Sequence, residues 1–163
     1  MENFKPTEYK LICVATGREF EDEGWHLEDS YCKTPSLIRT KYAQRQLNVK
    51  DDSWGLYKSC DWLPVKRLLK GSSAPVTYKS TALAGHLGLE NLYITFSGYW
   101  PRIGAGMTTC SFKETEAYSV CGRFDDACGK ILVVASAGNT ARAFAKVCSD
   151  NNIPLLLSVP EDN

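Results

Sequence analysis

The feature that most constrains the fold is the stretch from residue 130 to residue 159. An apolar run at 130–135 ends in a small polar turn, an apolar helical pattern follows, and a second apolar run occupies 153–159. Two such runs joined by a helix predict a parallel βαβ unit. Their continuous apolar character predicts strands that are buried on both faces. We therefore expect an α/β protein.

The turn of this unit is a candidate anion-binding site. It contains Ser136, Ala137, Gly138, Asn139 and Thr140, between the carboxyl end of a strand and the amino end of a helix. Unpaired backbone N–H groups point outward at such a helix start and can bind a carboxylate or a phosphate. The residues also suit an ordinary turn, with the glycine at positive φ and Asn139 or Thr140 as N-cap. The turn alone leaves both interpretations open.

A lysine at the start of another predicted helix is the second candidate. Ser111 and Glu114 have the Ser-x-x-Glu spacing of a capping box, which would place Lys113 in the first helical turn. The helix dipole disfavours a cation there. Together with partial desolvation, the dipole would lower the pKa of the amine, as a nucleophilic lysine requires. An ordinary lysine at a helix start is the alternative.

The two motifs together resemble the fold-type II pyridoxal phosphate (PLP) enzymes, the group of threonine synthase, cysteine synthase and tryptophan synthase β. The resemblance rests on Ser111-Phe112-Lys113 followed by the 136–140 turn, and it includes the segments 73–78 and 83–93. It implies an α/β fold like that of tryptophan synthase β. In that fold the chain would be an N-terminal portion, with a parallel βαβ core and a small β-rich head.

The resemblance implies a role for each matching position. Lys113 would be the catalytic lysine, which carries PLP covalently, and Asn139 would contact the hydroxyl of the cofactor ring. Ser136, Ala137 (through its backbone N–H) and Thr140 would bind the carboxylate of the substrate. These roles make the two motifs parts of one site.

Three further segments resemble one branch of the group, in which sulfite replaces the phosphate of O-phospho-L-serine to give L-cysteate in coenzyme M biosynthesis. They are 61–65, 98–101 and 110–114. The implied reaction is a PLP-dependent β-replacement with Lys113 as the base at Cα. Phosphate and sulfite are both anions, and Arg102, in the Gly-rich loop before Lys113, is our candidate to bind one of them. A surface arginine is the alternative.

Two other functions stay open. One is threonine synthase or another fold-type II PLP lyase, although Glu114 and Thr115 stand where ordinary threonine synthases have Asp-Arg. The other is an inactive remnant that serves as an interaction module. The resembling enzymes continue far beyond Asn163 and supply a Gly-rich loop for the cofactor phosphate. We therefore expect an N-terminal portion that is inactive alone, and a homo-oligomer at full length.

Composition restricts the remaining classes of function. The 19 Lys/Arg and 19 Asp/Glu residues give a formal net charge of zero, which offers no electrostatic footprint for nucleic acid or an anionic membrane. No apolar run is long enough to span a bilayer, and the N-terminus lacks an apolar signal region. We expect a cytoplasmic protein. Its partners, as the resemblance implies, would be small molecules, an amino acid and sulfite.

The cysteines are expected to be free thiols, because their number, seven, is odd and the protein is expected to be intracellular. Relatives often have a Cys-x-x-Cys-Gly knuckle in the head, but Thr16 stands where the second thiol would be. Cys13, the distant Cys32 and His26 do not form a convincing zinc ligand set. We expect no metal.

We divide the chain into a β-rich head (1–45), a connector (46–72) and the beginning of a PLP-binding α/β domain (73–163). Local patterns predict further elements in each part. They are strands at 9–14, 24–27 and 37–42, a short helix after Pro64 that ends near Gly71, a helix at 81–87 capped by Ser80, and a strand at 91–96.

Overall fold

A computed structural model describes residues 4, 7–24, 26–124 and 129–161 of the chain. These residues form a mixed α/β arrangement of small sheets, α-helices and short 3-10 helices. The elements follow one another in chain order, and antiparallel hairpins come before the parallel unit.

The head is a three-stranded antiparallel sheet. Strand β1 (Tyr9–Cys13) lies between β2 (Glu19–Phe20) and β3 (Ile38–Tyr42). The predicted strands at 9–14 and 37–42 are confirmed. The partner strand predicted at 24–27 is wrong, since the chain turns sharply after β1, with Gly17 at φ 72°, and the first residues after the turn pair with it. Trp25 lies outside the described residues.

The connector differs from its prediction. A 3-10 helix spans Gly55–Trp62. The helix predicted after Pro64 is wrong, and residues 63–71 are irregular. The amides of Lys66 and Arg67 both donate to the carbonyl of Gly122, at 2.7 and 3.2 Å. Backbone donors that a local helix would have used are therefore satisfied by a distant segment.

A second hairpin follows the connector. Strands β4 (Val76–Lys79) and β5 (Tyr93–Phe96) pair antiparallel, and helix α1 (Ala82–Leu87) connects them. The predicted helix and strand are confirmed, and Gly88 ends the helix at φ 67°. The predicted cap by Ser80 is wrong: Thr81 is the N-cap residue, and it makes no side-chain cap hydrogen bond.

A short ribbon leads to the second half of the chain. Strands β6 (Tyr99–Trp100) and β7 (Ala105–Gly106) pair antiparallel around the 3-10 turn Pro101–Ile103. Helix α2 (Lys113–Gly122) comes next.

The predicted βαβ unit is confirmed. Strand β8 (Leu132–Ala135), helix α3 (Asn139–Asp150) and strand β9 (Leu155–Ser158) follow in order, and the strands pair in parallel. The prediction that these strands are buried on both faces is wrong for the described residues. Burial alternates along each strand, and Val133 is 61% and Leu156 57% exposed. The outer face of this two-stranded sheet is therefore apolar and exposed.

The core lies where α2 and α3 pack against each other and against the connector. The Tyr57 hydroxyl crosses this core and donates to the Tyr118 carbonyl at 3.1 Å. The buried members include Tyr57, Val65, Leu69, Ala117, Tyr118, Cys121, Phe144, Val147 and Cys148. The two helices that carry the predicted site residues thus share one interior.

Candidate active site

Lys113 is the first residue of α2, as predicted. Its ammonium nitrogen lies 2.6 Å from a carboxylate oxygen of Glu116 and 5.3 Å from the ring centroid of Phe112. Its side chain is 34% exposed. The amine therefore lies at a half-exposed position with a carboxylate partner, which differs from the desolvated position expected from the sequence.

The predicted capping box is not formed. The Ser111 hydroxyl accepts from the amide of Lys113 at 3.2 Å, which is two residues along rather than three. The Glu114 carboxylate accepts from the amide of Thr109 at 3.0 Å instead of reaching back to Ser111. The backbone just before Ser111 is unusual, since Cys110 has φ 53°. This turn lets Glu114 fold under the start of the helix.

Glu114 anchors the start of α2 to the interior. It is fully buried, its second carboxylate oxygen accepts from the Ser73 hydroxyl at 3.2 Å, and the ammonium of Lys146 on α3 lies 3.7 Å away. Lys146 also donates to the Tyr118 hydroxyl at 3.0 Å and to Asp150 at 3.1 Å. A buried carboxylate needs such partners. The turn that presents Lys113 is thereby joined to α3.

The ionisation of this cluster follows from its burial. Burial raises the pKa of Tyr118. Burial acts to lower the pKa of Lys146, but its hydrogen bonds to Tyr118 and Asp150 outweigh that effect and raise it. Both groups therefore stay protonated at neutral pH, and Lys146 is a fixed cation beside Glu114.

Sequence reasoning missed Glu114 as a site residue, although a signal was present. Glu114, Ala117, Tyr118 and Cys121 have the i, i+3, i+4, i+7 spacing of one helix face. That face is the buried one. A carboxylate on an otherwise apolar stripe predicts a buried ion pair.

The 136–140 loop joins β8 to α3. The Ser136 hydroxyl accepts from the amides of Gly138 and Ala141, at 3.3 and 3.4 Å. The N-cap residue is Gly138, with φ −111°. The ordinary-turn interpretation is therefore wrong in two details, since the glycine is not at positive φ and neither Asn139 nor Thr140 is the N-cap. Ser136 supplies the hydroxyl that binds the first amides of α3.

The other predicted ligands of this loop lie at the surface. Ala137 and Asn139 are exposed and Thr140 is half-buried. A Cβ built on Gly138 would meet no atom within 4 Å. The loop therefore faces open space beside the first amides of a helix, where an anion is favoured.

Arg102 lies in the 3-10 turn between β6 and β7 and is exposed. The hairpin is closed by a hydrogen bond from the amide of Met107 to the carbonyl of Gly98, 3.0 Å long. The position of Arg102 in the loop before Lys113 is as predicted, and the contact of Arg102 with an anionic substrate group stays a prediction.

Helices α2 and α3 pack on each other, but the contacts of Lys113 and of the 136–140 loop are local. Lys113 binds Glu116 within its own turn, and the loop binds itself and, through the Ser136 amide, the Ser158 carbonyl at 3.0 Å. Contacts between the helices include Lys146 with Glu114 and with Tyr118 and, further along, the sulfur atoms of Cys121 and Cys148, 3.8 Å apart. The joint action of Lys113 and Asn139 on one ligand therefore stays a prediction.

Two observations concern metals and membranes. Within residues 7–24, 26–124 and 129–161, no three His, Cys, Asp or Glu side chains are grouped so that they could hold a metal ion. In the same part of the chain, every helix is too short or too polar to cross a bilayer.

The chain is similar in sequence to several curated proteins, and those described here are all cysteate synthases. Cysteate synthase from Methanocella arvoryzae is 44% identical over 156 residues, which is 96% of this chain and 36% of that enzyme. The cysteate synthases of Methanospirillum hungatei and Methanosarcina acetivorans are each 43% identical, over 95% and 93% of this chain and 36% and 35% of their own lengths. No protein-family model matches the chain, and no solved structure is significantly similar to it.

These relatives confirm the resemblance predicted from the sequence. The chain is a mixed α/β protein. By sequence it is similar to cysteate synthases over nearly its whole length. It spans about a third of the length of the curated relatives that it matches.

Proposed function

We propose that the chain is the lysine-bearing portion of a fold-type II PLP enzyme that converts O-phospho-L-serine and sulfite to L-cysteate and phosphate. The observation that supports it most is the placement of Lys113 and Asn139 at the first residues of two helices packed on each other. The similarity to cysteate synthases over nearly the whole chain supports the choice of reaction. We also propose that the full-length enzyme is a homo-oligomer in the cytoplasm.

The residues present suit PLP in their chemistry. Lys113 offers a primary amine, and the 136–140 loop offers amides and hydroxyls beside open space at Gly138. The hydroxyl oxygen of Thr109, four residues before Lys113, is buried and has no hydrogen-bond partner among the described residues. A buried polar atom of that kind is a candidate ligand for an absent group. When bound, PLP supplies an electron sink that stabilises negative charge at Cα of the substrate.

The protein groups then divide the work. Lys113 removes and returns the proton at Cα, which requires its amine to leave Glu116. The Ser136 hydroxyl, the Ala137 amide and the Thr140 hydroxyl orient the substrate carboxylate at the positive end of α3. Asn139 binds the ring hydroxyl of the cofactor. Arg102 binds the phosphate that leaves or the sulfite that enters.

The first test locates the amine. The purified chain is incubated with PLP, reduced with borohydride and digested, and the modified lysine is identified by mass spectrometry. We expect Lys113 to be modified first, and no such product in Lys113→Ala. Lys58→Ala, which removes an exposed lysine of the connector, is the matched control. Modification spread evenly over the surface lysines would count against this role for Lys113.

The second test addresses the substrate. Residues 8–161 replace the equivalent segment of the Methanocella arvoryzae enzyme, and phosphate release is measured. We expect release from O-phospho-L-serine with sulfite. Release from O-phosphohomoserine with water instead would favour the threonine synthase alternative. An inactive chimera whose parent is active would favour the interaction module.

A further inference from the structure

Lys146 contacts the helix that carries Lys113, although it belongs to none of the sequence motifs of the site. It lies on α3, and its side chain is only 18% exposed. Its ammonium lies 3.7 Å from the carboxylate of Glu114, the residue that follows Lys113 in the chain. It also donates to the hydroxyl of Tyr118, one turn further along α2, at 3.0 Å. Lys146 therefore holds α3 against two successive turns of α2.

The contact of Lys146 with Glu114 depends on how the two helices are placed. Glu114 is fully buried, and its carboxylate also accepts from the Thr109 amide at 3.0 Å and from the Ser73 hydroxyl at 3.2 Å. A charge that is buried without its partner is strongly disfavoured. The pair therefore favours one rotation and one position of α3 against the turn that presents Lys113.

Asn139, the predicted contact of the cofactor ring, lies on the same face of α3 as Lys146. The two residues are seven positions apart, which is two helical turns and about 10 Å along the axis. Ala143 lies between them on that face and is fully buried, so the face is turned toward the interior. A shift of α3 by one residue would rotate Asn139 by about 100° and turn it away from this face.

We propose that Lys146 is a positioning residue of the proposed PLP site. Through Glu114 it sets the rotation and position of α3 on α2, and in that arrangement the Lys113 amine and the Asn139 amide reach one ligand. Lys146 itself touches neither cofactor nor substrate. This inference rests on the proposed function. A displacement of about 1 Å can cost about 100-fold in rate, so reactivity should respond to a small change in helix position.

The test measures the reactivity of Lys113 in the whole chain. Parent and variants are incubated with PLP, trapped with borohydride and digested, and the rate of modification at Lys113 is divided by the mean rate at the exposed lysines. In Lys146→Met, which keeps the apolar length of the side chain, we expect this ratio to fall about tenfold or more. Lys146→Arg should recover most of it. Circular dichroism verifies folding, and Lys146→Gln, which keeps a donor, is used if Lys146→Met does not fold.

Asp150→Asn is the matched control. It removes the charge of the more exposed partner of Lys146, 3.1 Å away on the same helix, and keeps Glu114. Exposed ion pairs contribute little, so the ratio should stay within about twofold of the parent. A loss in Asp150→Asn as large as that in Lys146→Met would overturn the role of the Glu114 contact.

A double variant separates positioning from a general loss of structure. If Lys146 acts by placing Asn139, then Asn139→Ala should cost little once Lys146 is replaced, and the double variant should react at the rate of the slower single variant. Two independent effects would multiply instead and would overturn the inference.

The remaining outcomes distinguish this inference from the function on which it rests. A parent that modifies Lys113 first, together with a Lys146→Met variant that does so at the same ratio, overturns the positioning role and leaves the proposed function intact. A parent in which Lys113 is not preferred overturns the proposed function, and the positioning role with it.

Discussion

The helix starts that carry the candidate site residues are held in different ways. At the start of α2, the buried Glu114 carboxylate binds the Thr109 amide at 3.0 Å and the Ser73 hydroxyl at 3.2 Å. It also faces Lys146 on the neighbouring helix. At the start of α3, the Ser136 hydroxyl accepts from the nearby amides of Gly138 and Ala141, at 3.3 and 3.4 Å. One start is tied to the interior, and the other is shaped locally at the surface.

The difference has an energetic consequence. Loss of one member of a buried charged network leaves its partners unpaired, at a cost of about 3–5 kcal/mol. Loss of a surface capping hydroxyl costs about 1 kcal/mol. The turn of Lys113 should therefore be rigid, and the 136–140 loop should open at little cost, as suits a segment that closes around a ligand.

The largest effect is expected for Glu114→Ala. It leaves the Thr109 amide and the Ser73 hydroxyl unpaired and creates a cavity, so the free energy of unfolding should fall by about 3–5 kcal/mol. Urea denaturation measures the change. Glu116→Ala, which removes an exposed carboxylate from the same helix turn, should cost no more than about 1 kcal/mol. Equal losses in the two variants would contradict the anchoring role.

A smaller loss is expected for Glu114→Gln. The amide keeps the shape of the side chain and one acceptor oxygen, but the charge that faces Lys146 is removed. The expected loss is about 1–3 kcal/mol, since hydrogen bonds to charged groups are stronger than neutral ones. A loss as large as that of the alanine variant would show that the charge, rather than the hydrogen bonds, holds the turn.

The same cluster should make the free energy of unfolding decrease at alkaline pH. The pKa values of Tyr118 and Lys146 are raised in the folded state, so their contribution is complete below the ordinary values and is lost as pH rises through the raised ones. Unfolding free energies measured between about pH 9 and pH 12 should fall less steeply in Tyr118→Phe. Tyr93→Phe, which alters an exposed tyrosine, should keep the parent slope.

At the start of α3, Ser136→Ala should cost about 1 kcal/mol, because the amides of Gly138 and Ala141 lose their acceptor. Ser149→Ala, at the exposed end of the same helix, is the control and should leave stability nearly unchanged. A Ser136 loss as large as that of Glu114→Ala would remove the distinction between the two helix starts.

The smallest change in stability is expected for Asn139→Ala, within about 0.5 kcal/mol, because the side chain is exposed. Its effect should appear in the modification of Lys113 by PLP and borohydride, which should decrease if the amide contacts the cofactor ring. Unchanged modification would separate Asn139 from the proposed site.

An element could be predicted from sequence when neighbouring residues determine it, and not when a distant segment does. Strand β1 and the βαβ unit were predictable because an apolar run borders a turn that contains glycine, and β3 was predictable because Ile38, Thr40 and Tyr42 alternate with charged residues. The helix expected after Pro64 was wrong because the Lys66 and Arg67 amides bond to Gly122 instead of to their neighbours. The strand at 24–27 was wrong because the chain turned earlier and paired Glu19–Phe20 with β1.

For the candidate site, local patterns in the sequence placed Lys113 in the first turn of one helix and the 136–140 turn at the start of another, although the predicted capping box and N-cap residues were wrong. The sequence also determined the similarity to cysteate synthases, which covers nearly the whole chain. Tertiary structure alone decided that Glu114 turns inward to Ser73 and that it faces Lys146. The physical reason is that both outcomes depend on groups far apart in the chain, and only packing brings such groups within bonding distance.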